Sequence, residues 1–305
     1  MEDSNLELFF DTLEKSISLL YEKTHNNYFD LYFETVKNIL DCELSKEYDA
    51  QTNEHLLRIY SKLTDVDFTP EDIRKALQAI IIRGFKESKI EQDVTPDTLG
   101  FLMAYLISRL NNGLNDIKIL DPLCGSGNLL FSIDNHLNLN CSLFAIDNNK
   151  LKVDLCKTMS DLMNTVVDLY FQDTRSIRMK DMDFVIFDTP NELDEEKYFP
   201  YEVVLNHINS LKKDGYMIGI VPNDFFEHDK DGLFKQELMK DSSIYGIIEL
   251  PDNFFISRPK SIVIIKHKIR DDKNCLMVKL PSFDDIKLFN ETLMQIEAWF
   301  ENNKN

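Results

Sequence analysis

Beyond residue 90, short β-rich runs alternate with helical stretches, and this alternation narrows the possible folds more than any other feature. The runs are Ile117–Leu120, Ser142–Ile146, Asp183–Phe187, Met217–Val221, Ile244–Glu249, Ile262–Lys266 and Cys275–Leu280. Helical patterning fills 96–111, 127–137, 149–163, 200–213 and 284–301. Strands joined through helices pair in parallel, with helices on both faces of the sheet. The expected class is α/β, with a mostly parallel seven-stranded sheet. Residues 1–90 lack strand alternation. Leu6, Phe9, Phe10, Leu13, Ile17 and Leu20 recur at spacings of three and four, so 5–41 and 50–87 read as helices. Thr69-Pro70-Glu71-Asp72 reads as a helix start, with a capping hydroxyl, a first-turn proline and acids at the positive end. Two domains are expected, a helical one over 1–90 and an α/β one over 91–305. The stripe Phe29, Tyr32 and Phe33 reads as core or as a surface for a protein partner.

The most informative single segment runs from Ile117 to Leu130. It is a strand, a tight glycine loop (Asp121-Pro122-Leu123-Cys124-Gly125-Ser126-Gly127) and a helix beginning at Asn128. Open α/β sheets bind ligands at the carboxyl ends of their strands. Gly125 and Gly127 permit close backbone approach, and the helix behind them offers free N–H groups. Asp121 is an acceptor for a hydroxyl or a cation. A dinucleotide loop wants a third glycine where Leu130 stands, and a phosphate loop wants lysine where Asn128 stands. Asp147 ends the next strand, where an acid suits a ribose hydroxyl or caps the following helix. Asp173 reads as a ligand acid or as a simple turn.

Composition limits the partners. Net charge is −19, from 34 basic and 53 acidic residues. Such a chain repels polyanions, and unassisted nucleic-acid binding needs clustered cations. The densest basic stretch holds Arg258, Lys260, Lys266, Lys268, Arg270 and Lys273, and it reads as a solvated strand edge. Five cysteines without a CxxC pair suit a reducing cytosol and argue against disulfides and zinc, so no metal is expected. No apolar run approaches the ~18 residues of a membrane span, and the start MEDSNLELFF has no basic leader, so a cytoplasmic protein away from membranes is expected.

DPLCGSG resembles the D-P-x-C-G-S-G signature of class I S-adenosylmethionine (SAM) methyltransferases, in particular the N-6 adenine DNA methylases and the methylation subunits of type I restriction–modification systems. Other segments agree in order. Thr95-Pro96 is similar to the family's "TP" segment near the methionine end of SAM. Phe144-Ala145-Ile146-Asp147 resembles the strand end whose acid accepts from the ribose, and Gln172-Asp173 resembles the acid beside the adenine. Val221-Pro222-Asn223 and Leu250-Pro251-Asp252-Asn253-Phe254-Phe255 resemble two later segments of that group. The resemblance implies a Rossmann-like methyltransferase fold with SAM as cofactor. It places SAM against Thr95, Asp121, Pro122, Cys124, Gly125, Gly127, Asp147 and Asp173. Cys124 also reads as a small packing residue.

Amino-group methylases end the fourth strand with [D/N]-P-P-[Y/F/W]. The acid or amide and a proline carbonyl hold the exocyclic amine, and the aromatic ring stacks on the flipped base. Here the segment is Asp188-Thr189-Pro190-Asn191. Asp188 and Pro190 match and are the candidate catalytic residues; Thr189 and Asn191 depart. Tyr198 and Tyr201 follow shortly as alternative aromatics. The chain leaves no room for a target-recognition domain, so DNA is an acceptor only with help. Three readings stand open: a SAM-dependent N-methyltransferase acting on an amine, of DNA or of another acceptor; a SAM-binding protein without catalysis that works through its helical domain; and another α/β nucleotide binder.

Overall fold

The computed structural model describes residues 2–91, 94–190, 198–251, 255, 258–268 and 274–303. Four helices come first: α1 (Glu2–Thr24), α2 (Tyr28–Asp41), α3 (Ala50–Tyr60) and α4 (Pro70–Glu87). The segment read as one helix over 5–41 is two. His25 has φ +54°, and the Asn27 side chain accepts the Asp30 N–H (3.0 Å) as the cap of α2. At the start of α4, Thr69 Oγ1 accepts the Asp72 N–H (3.1 Å) while the Asp72 carboxylate accepts the Thr69 N–H (3.0 Å). This reciprocal cap satisfies donors that the first turn cannot satisfy itself.

The remainder is α5 (Asp97–Leu110), β1 (Asp116–Asp121), α6 (Asn128–His136), β2 (Asn140–Asp147), α7 (Lys150–Met163), β3 (Val167–Phe171), β4 (Met182–Asp188), α8 (Phe199–His207), β5 (Leu211–Pro222), α9 (Leu233–Leu238), β6 (Ser243–Glu249), β7 (Lys260–Lys266), β8 (Leu276–Lys279) and α10 (Ile286–Asn302). The strands form one eight-stranded sheet in the order β3-β2-β1-β4-β5-β7-β6-β8. Only β7 runs antiparallel to its neighbours β5 and β6. The eighth strand, missed above, is β3. It is a half-buried edge strand of only five residues, too short for its alternation to register. The helix read over 200–213 stops at His207, because Leu211 already pairs with Met182.

Both faces of the sheet are covered, so its strands are apolar on both sides. Phe184 and Ile186 of β4 enter one core, while Val185 and Phe187 enter the other. The first core runs on into the amino-terminal helices through α4 on α6 and α7, and α2 on α7. Phe29 and Tyr32 lie buried within it, with Phe33 packed against it, and the Tyr32 hydroxyl meets Thr158 Oγ1 at 2.9 Å. The stripe is therefore core.

Among the described cations of the basic stretch, read above as a solvated edge, only Lys268 is exposed, beside Asp214 (3.1 Å). β7 is internal, and it is buried along its whole length. Lys260 and Lys266 stand at its two ends, 2% and 8% exposed, with apolar residues between. Arg258 instead binds the Asp224 carboxylate (2.6 Å). Arg270 and Lys273 lie outside the described residues. No helix among the described residues is long and apolar enough to cross a membrane.

Replacing Thr69 with Ala removes one half of the α4 cap. We expect a loss of about 1 kcal/mol, read as a lower urea midpoint at unchanged slope.

Candidate active site

β1 is flanked by β2 on one side and β4 on the other, so the strand order reverses between β1 and β4. The crevice outside their carboxyl ends is where an open sheet of this kind takes ligands. Asp121 ends β1, Asp147 ends β2 and Asp188 ends β4.

The glycine loop is built on this crevice. Gly127 holds φ +86°, and a Cβ there would lie 2.6 Å from the Phe131 ring and 2.9 Å from Cys156 Sγ. Gly125 holds φ +55°, but a Cβ there would meet nothing within 4 Å. Gly127 is thus required by packing, while Gly125 faces open space. The Gly125 N–H donates to Asp147 Oδ2 (3.0 Å), and the Asn149 N–H donates to Oδ1 (2.8 Å). Asp147 therefore clips the loop to the end of β2. Asn149, not Asp147, caps α7, with its side chain accepting the Lys152 N–H (3.2 Å). Pro122 and Cys124 are buried within the loop, and a hydrogen bond with Cys156, together with burial, pushes the Cys124 thiol well up, as suits an unreactive packing residue.

Asp121 is 1% exposed, and its Oδ1 accepts the Leu123 N–H (3.0 Å). Burial pushes its carboxyl up to about 8, reinforced by the charges of Asp147 and Asp188. It holds a proton near neutral pH and can then donate a hydrogen bond.

Asp188 is gripped from two sides. Thr95 Oγ1 donates to Oδ2 (2.8 Å), and Lys260 Nζ donates to Oδ1 (2.7 Å). The same ammonium donates to the Thr189 carbonyl (2.8 Å) and lies 5.0 Å from the centre of the Phe255 ring. Thr189 is fully buried, and both its N–H and its hydroxyl donate to the Ile220 carbonyl at 3.0 Å. A proline at that position has no N–H to give, which accounts physically for the threonine. Pro190 lies exposed just beyond, and Asn191 lies outside the described residues.

Behind Thr95 the network continues into the helical part. Asn128 Nδ2 donates to the Thr95 carbonyl (2.9 Å), and Arg74 Nη1 donates to Asn128 Oδ1 (2.5 Å). Arg74 comes from α4, is completely buried, and also pairs with Asp97 (3.0 Å) and Glu71 (2.6 Å). Chemistry alone did not single out Arg74, Asn128 or Lys260 in the sequence. For Lys260 the signal was present, as a lone lysine opening an apolar run.

Asp173 follows Gln172, whose N–H donates to the Asp147 carbonyl (3.1 Å), and has a different side-chain partner. Its carboxylate binds Arg175 (2.9 Å) in the turn it begins, which holds it below the usual carboxylate range. The tyrosines are engaged elsewhere. Tyr198 stacks on His228 (3.9 Å between centroids) and Tyr201 on Phe234 (3.7 Å). Among the described residues no cluster of His, Cys, Asp or Glu is placed to hold a metal ion.

Residues 54–305 match the model of the N-6 DNA Methylase family, and residues 7–85 match that of the YtxK N-terminal helical domain. An uncharacterized protein of Bacillus subtilis (strain 168), YtxK, is 26% identical over 277 residues, with 83% of this chain and 84% of that protein covered. A Listeria monocytogenes protein described as a class I SAM-dependent methyltransferase has TM-score 0.85 and 26% identity over 98% of this chain and 99% of its own. A type I restriction–modification methyltransferase subunit from Streptococcus thermophilus shares the fold, with TM-score 0.63 and 17% identity over 85% of this chain and 64% of its own.

Asp121 generates a test of its electrostatics. Its folded carboxyl lies above its unfolded value, so the folded chain binds the extra proton between the two. Stability from this group falls as pH rises towards about 8 and is level above it. Asp121→Asn lacks that dependence. Its stability relative to the wild type should climb between pH 5 and 8 and then flatten, in urea melts taken at each pH.

Proposed function

The chain belongs to the N-6 DNA methylase family, and on that premise we propose that it is a SAM-dependent N-methyltransferase of the adenine-methylase type, acting on an amine that DNA can supply. The observation that carries the reading is the Asp147-clipped glycine loop, open above Gly125, beside Asp188 at the same crevice. The residues suit SAM. Loop space without a Cβ admits a ligand close to the backbone, and an acid at the end of the second strand suits ribose hydroxyls.

In this reading Asp147 receives the ribose, while Gly125, Gly127, Pro122 and Cys124 form the floor. Asp121 donates or accepts from beneath, and Thr95 closes the methionine side. Asp173 is assigned to the adenine edge and keeps Arg175 as its neighbour. Bound SAM supplies a sulfonium methyl group. Asp188, oriented by Thr95, would accept a hydrogen bond from the amine and disperse the positive charge on its nitrogen as the N–C bond forms; the C–S bonding pair would leave on the thioether and the surplus amine proton would pass to solvent. A backbone carbonyl of the Thr189-Pro190 pair is its second acceptor. Residues 91–305 form the methyltransferase domain, and helical residues 1–90 offer a surface for a protein partner that brings the acceptor. A partner also answers the charge of −19, which opposes DNA approaching alone.

A second reading, a SAM binder without catalysis, is favoured by one observation: Lys260 already sits on Asp188. Both readings require the cofactor.

Calorimetric titration with SAM should show saturable binding. Asp147→Ala should weaken it about ten- to a hundredfold, the worth of charge-assisted hydrogen bonds, with an unchanged circular dichroism spectrum. A folded wild type that takes up no SAM contradicts both readings.

A further inference from the structure

Lys260 reaches into the crevice from β7, the one strand whose direction is reversed. Its ammonium is 2% exposed and touches three groups of one character. These are the Asp188 carboxylate at 2.7 Å, the Thr189 carbonyl at 2.8 Å and the Phe255 ring at 5.0 Å. A carboxylate, a carbonyl and an aromatic face together take an amine through its N–H donors, charged as in Lys260 or neutral as in a base, the neutral one held less tightly. Thr189 itself is anchored, since its N–H and hydroxyl both donate to the Ile220 carbonyl. The carboxylate is likewise fixed from behind by Thr95. The carboxylate and Thr189 each have a second partner in the protein, and the occupant stands on a flexible four-carbon stem.

We propose that Lys260 is an internal occupant of the acceptor site: its amine holds the place of the incoming amine, which binds only once Lys260 has withdrawn. The inference rests on reading Asp188 as the acceptor-holding residue. It makes Lys260 a specificity-determining residue. An external amine must offer more than two hydrogen bonds, because those only replace what Lys260 already makes. A base drawn in by its own stacking and by a partner meets that demand, whereas a small free amine at low concentration does not.

The test is chemical rescue of Lys260→Ala, which removes the amine and leaves the cage. The variant should melt about 10 °C lower, as expected for a buried carboxylate that loses its partner. Methylammonium chloride should then restore more than half of that loss in a saturable way. Tetramethylammonium chloride, with the same charge and no N–H, should restore none. Adding Asp188→Asn to the variant should abolish rescue. No rescue, or equal effects of the two salts, overturns the proposal and leaves a structural ion pair only. Should Lys260→Ala not fold, the wild type still decides. With a water-soluble acetylating ester, methylammonium chloride should speed acetylation of Lys260 at least about twofold relative to exposed Lys150, by taking its place in the cage, and tetramethylammonium chloride should not; no acceleration, or equal acceleration by both salts, overturns the proposal. SAM calorimetry on the same samples separates the two claims. Rescue without SAM binding removes the methyltransferase reading and leaves the amine cage, and SAM binding without rescue does the reverse.

Discussion

A lysine ammonium can be buried inside a sheet only if its charge is met there, and the Lys260–Asp188 pair meets it at the end of β4. Removing two ions from water costs several kcal/mol each, and their attraction offsets that cost only with good geometry and further hydrogen bonds. Here the further bonds come from Thr189 and Thr95. That requirement binds distant parts of the chain together. Thr95 is placed by Asn128 at the start of α6, and Asn128 by Arg74 of α4. Arg74 is itself a buried cation that needs Asp97 and Glu71. Two buried cations, one from each part of the chain, thus frame a single polar seam through an otherwise apolar interior. A seam of this kind is costly when half made, so it favours one arrangement of helical part against sheet.

Much of the sheet was legible because its runs are apolar on both faces, as strands covered on both sides must be. Asp121, Gly125, Gly127 and Asp147 were legible as a group because strand, tight loop and helix follow one another without interruption. Their individual duties were less so. Both Gly125 and Gly127 take positive φ, yet only Gly127 is forced by its neighbours. The short strand β3 escaped notice because an edge of five half-buried residues has little pattern to show. Lys260 and Lys266 were misplaced for a different reason. Charge reads as exposure until tertiary partners are known, and Asp188 precedes Lys260 by many residues in the chain.

The departure from the family's fourth-strand pattern has a local physical basis. Thr189 gives an N–H to Ile220 that proline does not possess, and its own carbonyl accepts from Lys260. The glycine loop is clipped by Asp147 at the end of β2. The two halves of the crevice differ in this way: one is open, and the other holds a side chain of its own.

A crystal structure with S-adenosylhomocysteine, the demethylated product of SAM, would test this account most directly. We predict the ribose hydroxyls on Asp147, the ligand passing over Gly125, and Lys260 Nζ still seated on Asp188 and Thr189. A ligand bound away from Asp147 and Gly125, or a Lys260 side chain turned out of the crevice with Asp188 bare, would contradict it.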